Sequence, residues 1–247
     1  MLVWIHTGVA LSIIEKEVAW GFRILNFLGA PDGFCINWWR IPSDRNVEPH
    51  IFPTRAEVNG GWARWGFPEV FIFRLEEWDR VLIHECIHAL SWDVSIGGEL
   101  KSCLEHSLGN GNVTEALFEA ATELNAEWMW CIIHSPEDDT DGNTWLKQVD
   151  WQRNQAYAVL ARSPAVWDED TSVFAYYVLK AALAFEMSDF LVNWLSSKVE
   201  TEKWCDLWNR YKPAFLAKAN ELKASKGKML SMRMTNPILE GDIRRKS

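Results

Sequence analysis

Apolar spacing sets the order of elements along this chain. Residues 8–28 (GVALSIIEKEVAWGFRILNFL) repeat apolar positions at helical intervals and stop at Gly29, so a helix is predicted there. Ala30-Pro31-Asp32-Gly33 reads as a turn, and residues 34–41, rich in rings and β-branched side chains, as a strand. A loop over 43–53 leads to a second strand at 56–65. Its Gly60-Gly61 pair points to a bulge or to close approach by another backbone. Residues 69–74 (EVFIFR) are the third strand.

The period then changes. Residues 75–90 are apolar on nearly all sides at helical spacing, the mark of a buried helix. A glycine-bearing loop or short-helix region spans 91–112. A long helix follows at 113–133, with Asn112 and Glu115 as a capping box. After an acidic loop at 135–143 the pattern is helical only, at about 144–162, 171–197 and 200–224. The breaks are expected at Ser163-Pro164 and near Pro213. The basic tail, Lys223 to Lys246, reads as a frayed or surface segment. This order is that of an α+β chain: a small N-terminal twisted sheet with its buried helix, then a mostly helical C-terminal lobe. The acidic loop divides it into residues 1–134, with the sheet and both candidate metal helices, and 135–247.

Composition narrows the partners. A net charge of −9 argues against nucleic acid, whose phosphates need a basic face. Five cysteines without a CxxC pair argue against a disulfide framework and a thiolate zinc site, and favour a reducing, cytoplasmic setting. The apolar N-terminus lacks a basic flank and a cleavage site, and Glu15 and Lys16 interrupt it, so neither a signal peptide nor a membrane span is expected. Sixteen tryptophans, dispersed from Trp4 to Trp208, supply a ring-rich core and material for a binding groove.

The chemistry concentrates in VLIHECIHALSWD, residues 81–93. Residues four apart on a helix lie about 40° apart in azimuth, so His84 and His88 reach one ion together. Glu85, turned by ~100°, misses the ion and is placed to act as general base on a water. The spelling is that of HExxH, and the expected cofactor is Zn2+. Burying two histidines and a glutamate without a partner would be costly, which favours a metal.

The third ligand does not follow at once. Ser91 and Val94 occupy the places where an extended HExxH pattern needs glycine and a histidine or aspartate, and Asp93 is one position off. The 113–133 helix offers a ladder instead: Glu115, Glu119, Glu123 and Glu127. Like charges at this spacing repel, and a cation between the helices would relieve them.

Glu119-Ala-Ala-Thr-Glu123 after HExxH resembles the gluzincin metallopeptidases, the thermolysin-like class. The resemblance covers two short helices, and Phe118 replaces the usual asparagine. It implies a zincin-like fold, Glu119 as third ligand, Glu123 orienting a ligand histidine, and peptide-bond hydrolysis. The Trp-rich strands more weakly resemble HExxH proteins of large DNA viruses, for which no substrate is known. Tyr176 and Tyr177 are the candidates for stabilising an oxyanion, with His106 as the alternative. A peptide or protein substrate would pair with the edge at 57–64, bordered by Gly60, Gly61, Trp62 and Trp65, with Arg64 placed to meet a carboxylate. His6, His50 and His134 show no partner in the sequence. The other class is a non-catalytic, zinc-stabilised binding or scaffold protein. Intact Glu85 separates the two, because a structural site has no use for a base.

Overall fold

The computed structural model describes residues 2–8, 10–42, 45–47, 55–92, 113–162, 173–184, 201–224, 230–231, 233–237 and 239. The elements are β1 (Leu2–His6), α1 (Leu11–Phe27), β2 (Cys35–Ile41), β3 (Asn46–Val47), α2 (Arg55–Val58), β4 (Gly61–Ala63), β5 (Glu69–Arg74) and α3 (Trp78–Ala89). They continue with α4 (Val113–His134), α5 (Asn143–Arg162), a π-helical segment (Phe174–Leu179) that runs into α6 (Lys180–Ala184), then α7 (Thr201–Ala224) and β6 (Leu230–Ser231). The chain is α+β, with a small mixed sheet and a helical majority.

The sheet runs in the order β1-β2-β5-β4. β1, β2 and β5 are parallel, and β4 lies antiparallel on the β5 edge. β1 is an addition to the sequence reading. A five-residue segment that is a continuous apolar run up to His6 is too short to separate strand from helix until a neighbour pairs with it. The 56–65 segment is shorter as a strand than expected: it opens with the helical turn α2 and is extended only over Gly61–Ala63.

One face of the sheet carries the helices. Ile36, Trp38, Val70 and Ile72 pack with Ile24 and Leu25 of α1, with most of α3, and with Ala126, Met129 and Trp130 of α4. Trp38 stacks on Trp78 at 4.5 Å. A second cluster joins Ala120, Ala121 and Leu124 of α4 to α5, α6 and Phe215 of α7. α4 thus contributes to both cores, which explains why both of its sides are apolar except for the glutamate ladder.

Three further readings change. Pro213 lies inside α7, exposed, and does not break it. The 43–53 loop contains β3, which pairs antiparallel with β6 from the basic tail. The described residues of that tail are docked: Met234, Thr235 and Leu239 are buried, and Arg233 pairs with Glu76 at 2.7 Å. The helix expected at 171–197 is described only over 173–184, with π geometry at its start. Ser163-Pro164, the 93–112 region and Asn112 of the capping box lie outside the described residues. No helix among the described residues is long and apolar enough to cross a membrane.

Candidate metal centre

α3 enters the core by a sharp turn. Glu77, at φ 56°, takes the left-handed conformation, and its buried carboxylate accepts from Thr235 N and Oγ1 at 2.5 Å and faces Arg45 Nε at 3.5 Å. Such a conformation costs about 1–3 kcal/mol outside glycine and persists where its surroundings fix it. From this anchored start α3 runs buried beneath β4 and against α4, with His84 and Glu85 nearly enclosed and His88 half-buried.

Gly60 and Gly61 are what allows β4 to lie so close. A Cβ on Gly61 would stand 2.6 Å from Phe71 O, 2.8 Å from Val81 Cγ1 and 3.0 Å from Glu85 Cγ. One on Gly60 would stand 2.4 Å from Arg45 Nη2. The expected approach of another backbone is met by Phe71 O of β5 at Gly61, and side chains of Arg45 and of the HExxH helix crowd the pair as well.

Two imidazole nitrogens and one carboxylate oxygen converge. His84 Nε2 and His88 Nε2 are 3.1 Å apart, and Glu119 Oε2 lies 3.4 Å from the first and 3.6 Å from the second. The ligand atoms of His84, Glu85 and His88 all lie within 4.8 Å of one another. Behind this cluster, His84 Nδ1 is 2.8 Å from Glu123 Oε2, and Arg80 Nη1 holds both oxygens of Glu123 at 2.5 and 2.6 Å. A proton on Nδ1 leaves the Nε2 lone pair free to face His88 and Glu119.

The ladder faces inward. Glu123 and Glu127 are fully buried and Glu119 keeps a side-chain exposure of 23%. Their repulsion is met by cations: His84 and Arg80 at Glu123, and Lys180 on Glu127, which Gln148 and Gln152 also contact. The Glu115 side chain lies outside the described residues. Phe118, standing where the gluzincin pattern has asparagine, stacks on His88 at 5.8 Å.

Tyr176 joins the site and Tyr177 does not. The Tyr176 hydroxyl donates to Glu119 Oε2 at 3.1 Å, and its ring meets that of His84 edge-on at 6.0 Å. Tyr177, its neighbour on the π-helical segment, is enclosed in the second core cluster. π-turns rotate successive side chains off the α register and recur at functional sites.

Electrostatics follow from this packing. Burial raises the Glu85 carboxyl to about 7, although His84 and His88 pull the other way. Burial opposes ionisation of Glu119 and Glu123, but the histidines at Glu119, and Arg80, His84 and Lys180 at Glu123, hold both well below the usual carboxylate range. Burial lowers His84, and hydrogen bonds to Glu119 and Glu123 override it, lifting the imidazole to about 9. Burial and the carboxylates of Glu119, Glu85 and Glu123 push the Tyr176 phenol well above its ordinary value, so it remains a hydrogen-bond donor.

These groups line a pocket of about 210 Å³ together with Gly60, Gly61, Trp62, Val58, Val81, Arg80 and Met234. β4 forms its rim. Phe73 N donates to Gly60 O, and Trp62 stands opposite Phe71. Alternate residues of an antiparallel ladder bond to the same neighbour, so Gly61 and Ala63 turn their N–H and C=O groups away from β5, to an edge that no other strand among the described residues pairs with. Comparison with protein-family models, curated proteins and solved structures finds no match to this chain.

Other residues fall elsewhere. Arg64 is exposed and lies over the Phe67 ring at 3.8 Å, away from the pocket, and Trp65 is exposed. His134, without a partner in the sequence reading, is 2.9 Å from Asp79 and packs between Trp20 and Trp130. His6 stacks on Trp39. His50 and His106 lie outside the described residues. Arg80 and Met234 line the pocket and went unnoticed in the sequence. The signal for Arg80 was a basic residue one turn before His84 on a buried helix. Met234 had none, because its approach depends on the pairing of β6 with β3.

Proposed function

We propose that this chain is a zinc-dependent peptidase with a zincin-like arrangement. The observation that carries the reading is the convergence of His84 Nε2, His88 Nε2 and Glu119 Oε2 at 3.1, 3.4 and 3.6 Å. Zinc–ligand bonds of ~2.0–2.1 Å meeting at a tetrahedral angle set donor atoms about 3.3 Å apart, so the donor set fits that ion. Two imidazoles facing each other through Nε2 need either a shared proton or a cation, and the carboxylate beside them favours a cation. When bound, zinc would supply Lewis acidity toward a carbonyl oxygen and a water molecule.

The remaining roles belong to the chain. Glu85 stands in the pocket with a carboxyl raised to about 7, suited to accept a proton from water near neutral pH and pass it to the leaving amine. Glu123 fixes the tautomer and angle of His84. Tyr176 presents a phenol O–H for the negative charge that develops on the carbonyl oxygen. The open N–H and C=O groups of Gly61 and Ala63 suit an extended peptide added as a further strand.

The test is a zinc-loaded wild type and Glu85→Gln compared on a peptide library, with zinc content measured for both. Stoichiometric zinc in both and cleavage by wild type alone supports the reading. Zinc in both with no cleavage by either would favour a zinc-stabilised binding protein.

A further inference from the structure

The sheet face turned away from the helices carries a ladder of rings, and the ladder ends at β4. Val70 and Ile72 of β5 are buried against the helices, so Phe71 between them points to the opposite face. Trp62 pairs with Phe71 in register, and the two rings stack at 4.1 Å with 3° between their planes. Phe71 stacks in turn on Trp39 of β2 at 5.9 Å, and Trp39 on His6 of β1 at 4.6 Å. The rungs thus follow the strands, which lie about 4.8 Å apart in a sheet. Trp62 is the last rung. Phe71 covers one face of its indole, yet Trp62 remains 47% exposed. An unused stacking position therefore stands beside the edge to which Gly61 and Ala63 turn their main-chain groups.

We propose that Trp62 selects peptides that carry an aromatic side chain next to the residue entering the pocket. This deepens the peptidase reading and rests on it. Side chains of a strand added to β4 alternate between the two faces of the sheet. Gly61 fixes which is which. A Cβ there would point at Val81 and Glu85, so a substrate residue beside Gly61 turns its side chain toward the pocket. The next substrate residue, beside Trp62, turns to the ringed face. There it meets the open side of the indole one strand spacing away, and an aromatic ring in that place extends the ladder to a fifth strand. Cross-strand aromatic pairs stabilise a sheet beyond the area they bury, so the gain goes to a ring and not to any side chain that reaches.

The experiment is calorimetric titration of zinc-loaded Glu85→Gln with blocked hexapeptides. The parent is N-acetyl-Ala-Ala-Ala-Leu-Ala-Ala-amide, whose leucine suits the Val58 and Val81 walls of the pocket. Phenylalanine then replaces each alanine in turn. At one neighbour of the leucine it is expected to tighten binding about 2- to 10-fold, the size of one aromatic pair. That gain is expected to disappear in the same protein carrying Trp62→Thr and to remain with Trp62→Phe, which keeps a ring. Because Trp62→Thr removes the edge rung and can loosen β4, the scan on protein with Trp62 intact also decides alone: no gain at either neighbour of the leucine overturns the proposal. An equal gain with Trp62→Thr overturns it as well. So does a dimer in sedimentation that Trp62→Thr dissolves, since a second copy then covers the indole. Wild-type cleavage of the parent and the phenylalanine peptides at equal kcat/KM leaves the peptidase reading standing and removes the role of Trp62. Ring-dependent binding with no cleavage by wild type keeps the ring site and overturns the peptidase reading.

Discussion

His84 Nδ1 lies 2.8 Å from Glu123 Oε2, and that carboxylate also receives Arg80 Nη1 and lies 4.0 Å from Lys180 Nζ. One buried carboxylate therefore aims a candidate ligand and neutralises a cationic core. Glu123→Gln keeps the shape and removes the charge. Zinc affinity, measured by chelator competition, is expected to fall about 10- to 100-fold, as for loss of other partners behind metal ligands. The metal-free protein is expected to lose about 3–5 kcal/mol in denaturant unfolding, because Arg80 and Lys180 lose a counter-charge inside the core. An unchanged zinc affinity would remove Glu123 from the site.

The metal-free protein has a defined pH profile. The His84 imidazole is raised to about 9, so its contribution is full below its ordinary value of 6.5 and is lost as pH rises through 9. The Glu85 carboxyl, raised to about 7, adds a loss in the same direction between its ordinary 4.5 and 7. Glu119 and Glu123 are depressed, so their contribution is present above 4.5 and is lost as pH falls below it. Stability of chelator-treated protein should therefore peak between about pH 4.5 and 6.5 and fall on both sides. Zinc uptake needs a neutral His84, so binding near neutral pH should release protons, visible as a buffer-dependent heat in calorimetry. A profile flat from pH 6 to 9 would contradict this balance of charges.

Gly61 sets the distance between strand and helix. Gly61→Ala puts a Cβ 2.6 Å from Phe71 O and 3.0 Å from Glu85 Cγ, neither of which can be relieved by a flexible side-chain tip. The substitution should cost about 1–3 kcal/mol, the range of overpacking in a filled core. Hydrogen exchange at β4 and β5 should rise, and cleavage should fall more than the lost stability accounts for, since Glu85 is displaced. An alanine variant with wild-type stability would mean that β4 is free to shift.

Tyr176→Phe removes one hydroxyl and its bond to Glu119. Zinc content should be retained, because the ring and all three candidate ligands remain. The turnover number should fall by about 10²–10³, the usual cost of one oxyanion donor, with little change in KM. Tyr177→Phe acts as the comparison. Its ring is buried away from the pocket, so any effect should appear in unfolding and not selectively in turnover.

The sequence by itself determined the elements whose physics is local. α1, α3, α4 and α5 were legible because their apolar periods run for three turns or more, and His84, Glu85 and His88 because helix geometry alone puts i and i+4 on one face. The inward face of the glutamate ladder was half legible: its charge repulsion was visible, but the cations that answer it, Arg80 and Lys180, come from other helices. Tertiary structure decided what depends on distant partners. β1 and β3 are strands because β2 and β6 pair with them, and short segments have no period long enough to declare themselves. Tyr176 rather than Tyr177 faces the pocket because a π-turn sets the local rotation, and adjacent residues of one type are equivalent until that rotation is fixed. Arg80 and Met234, not Arg64, line the pocket, because the docked tail and the buried turn at Glu77 set which side chains meet, and those contacts span more than 150 residues of chain.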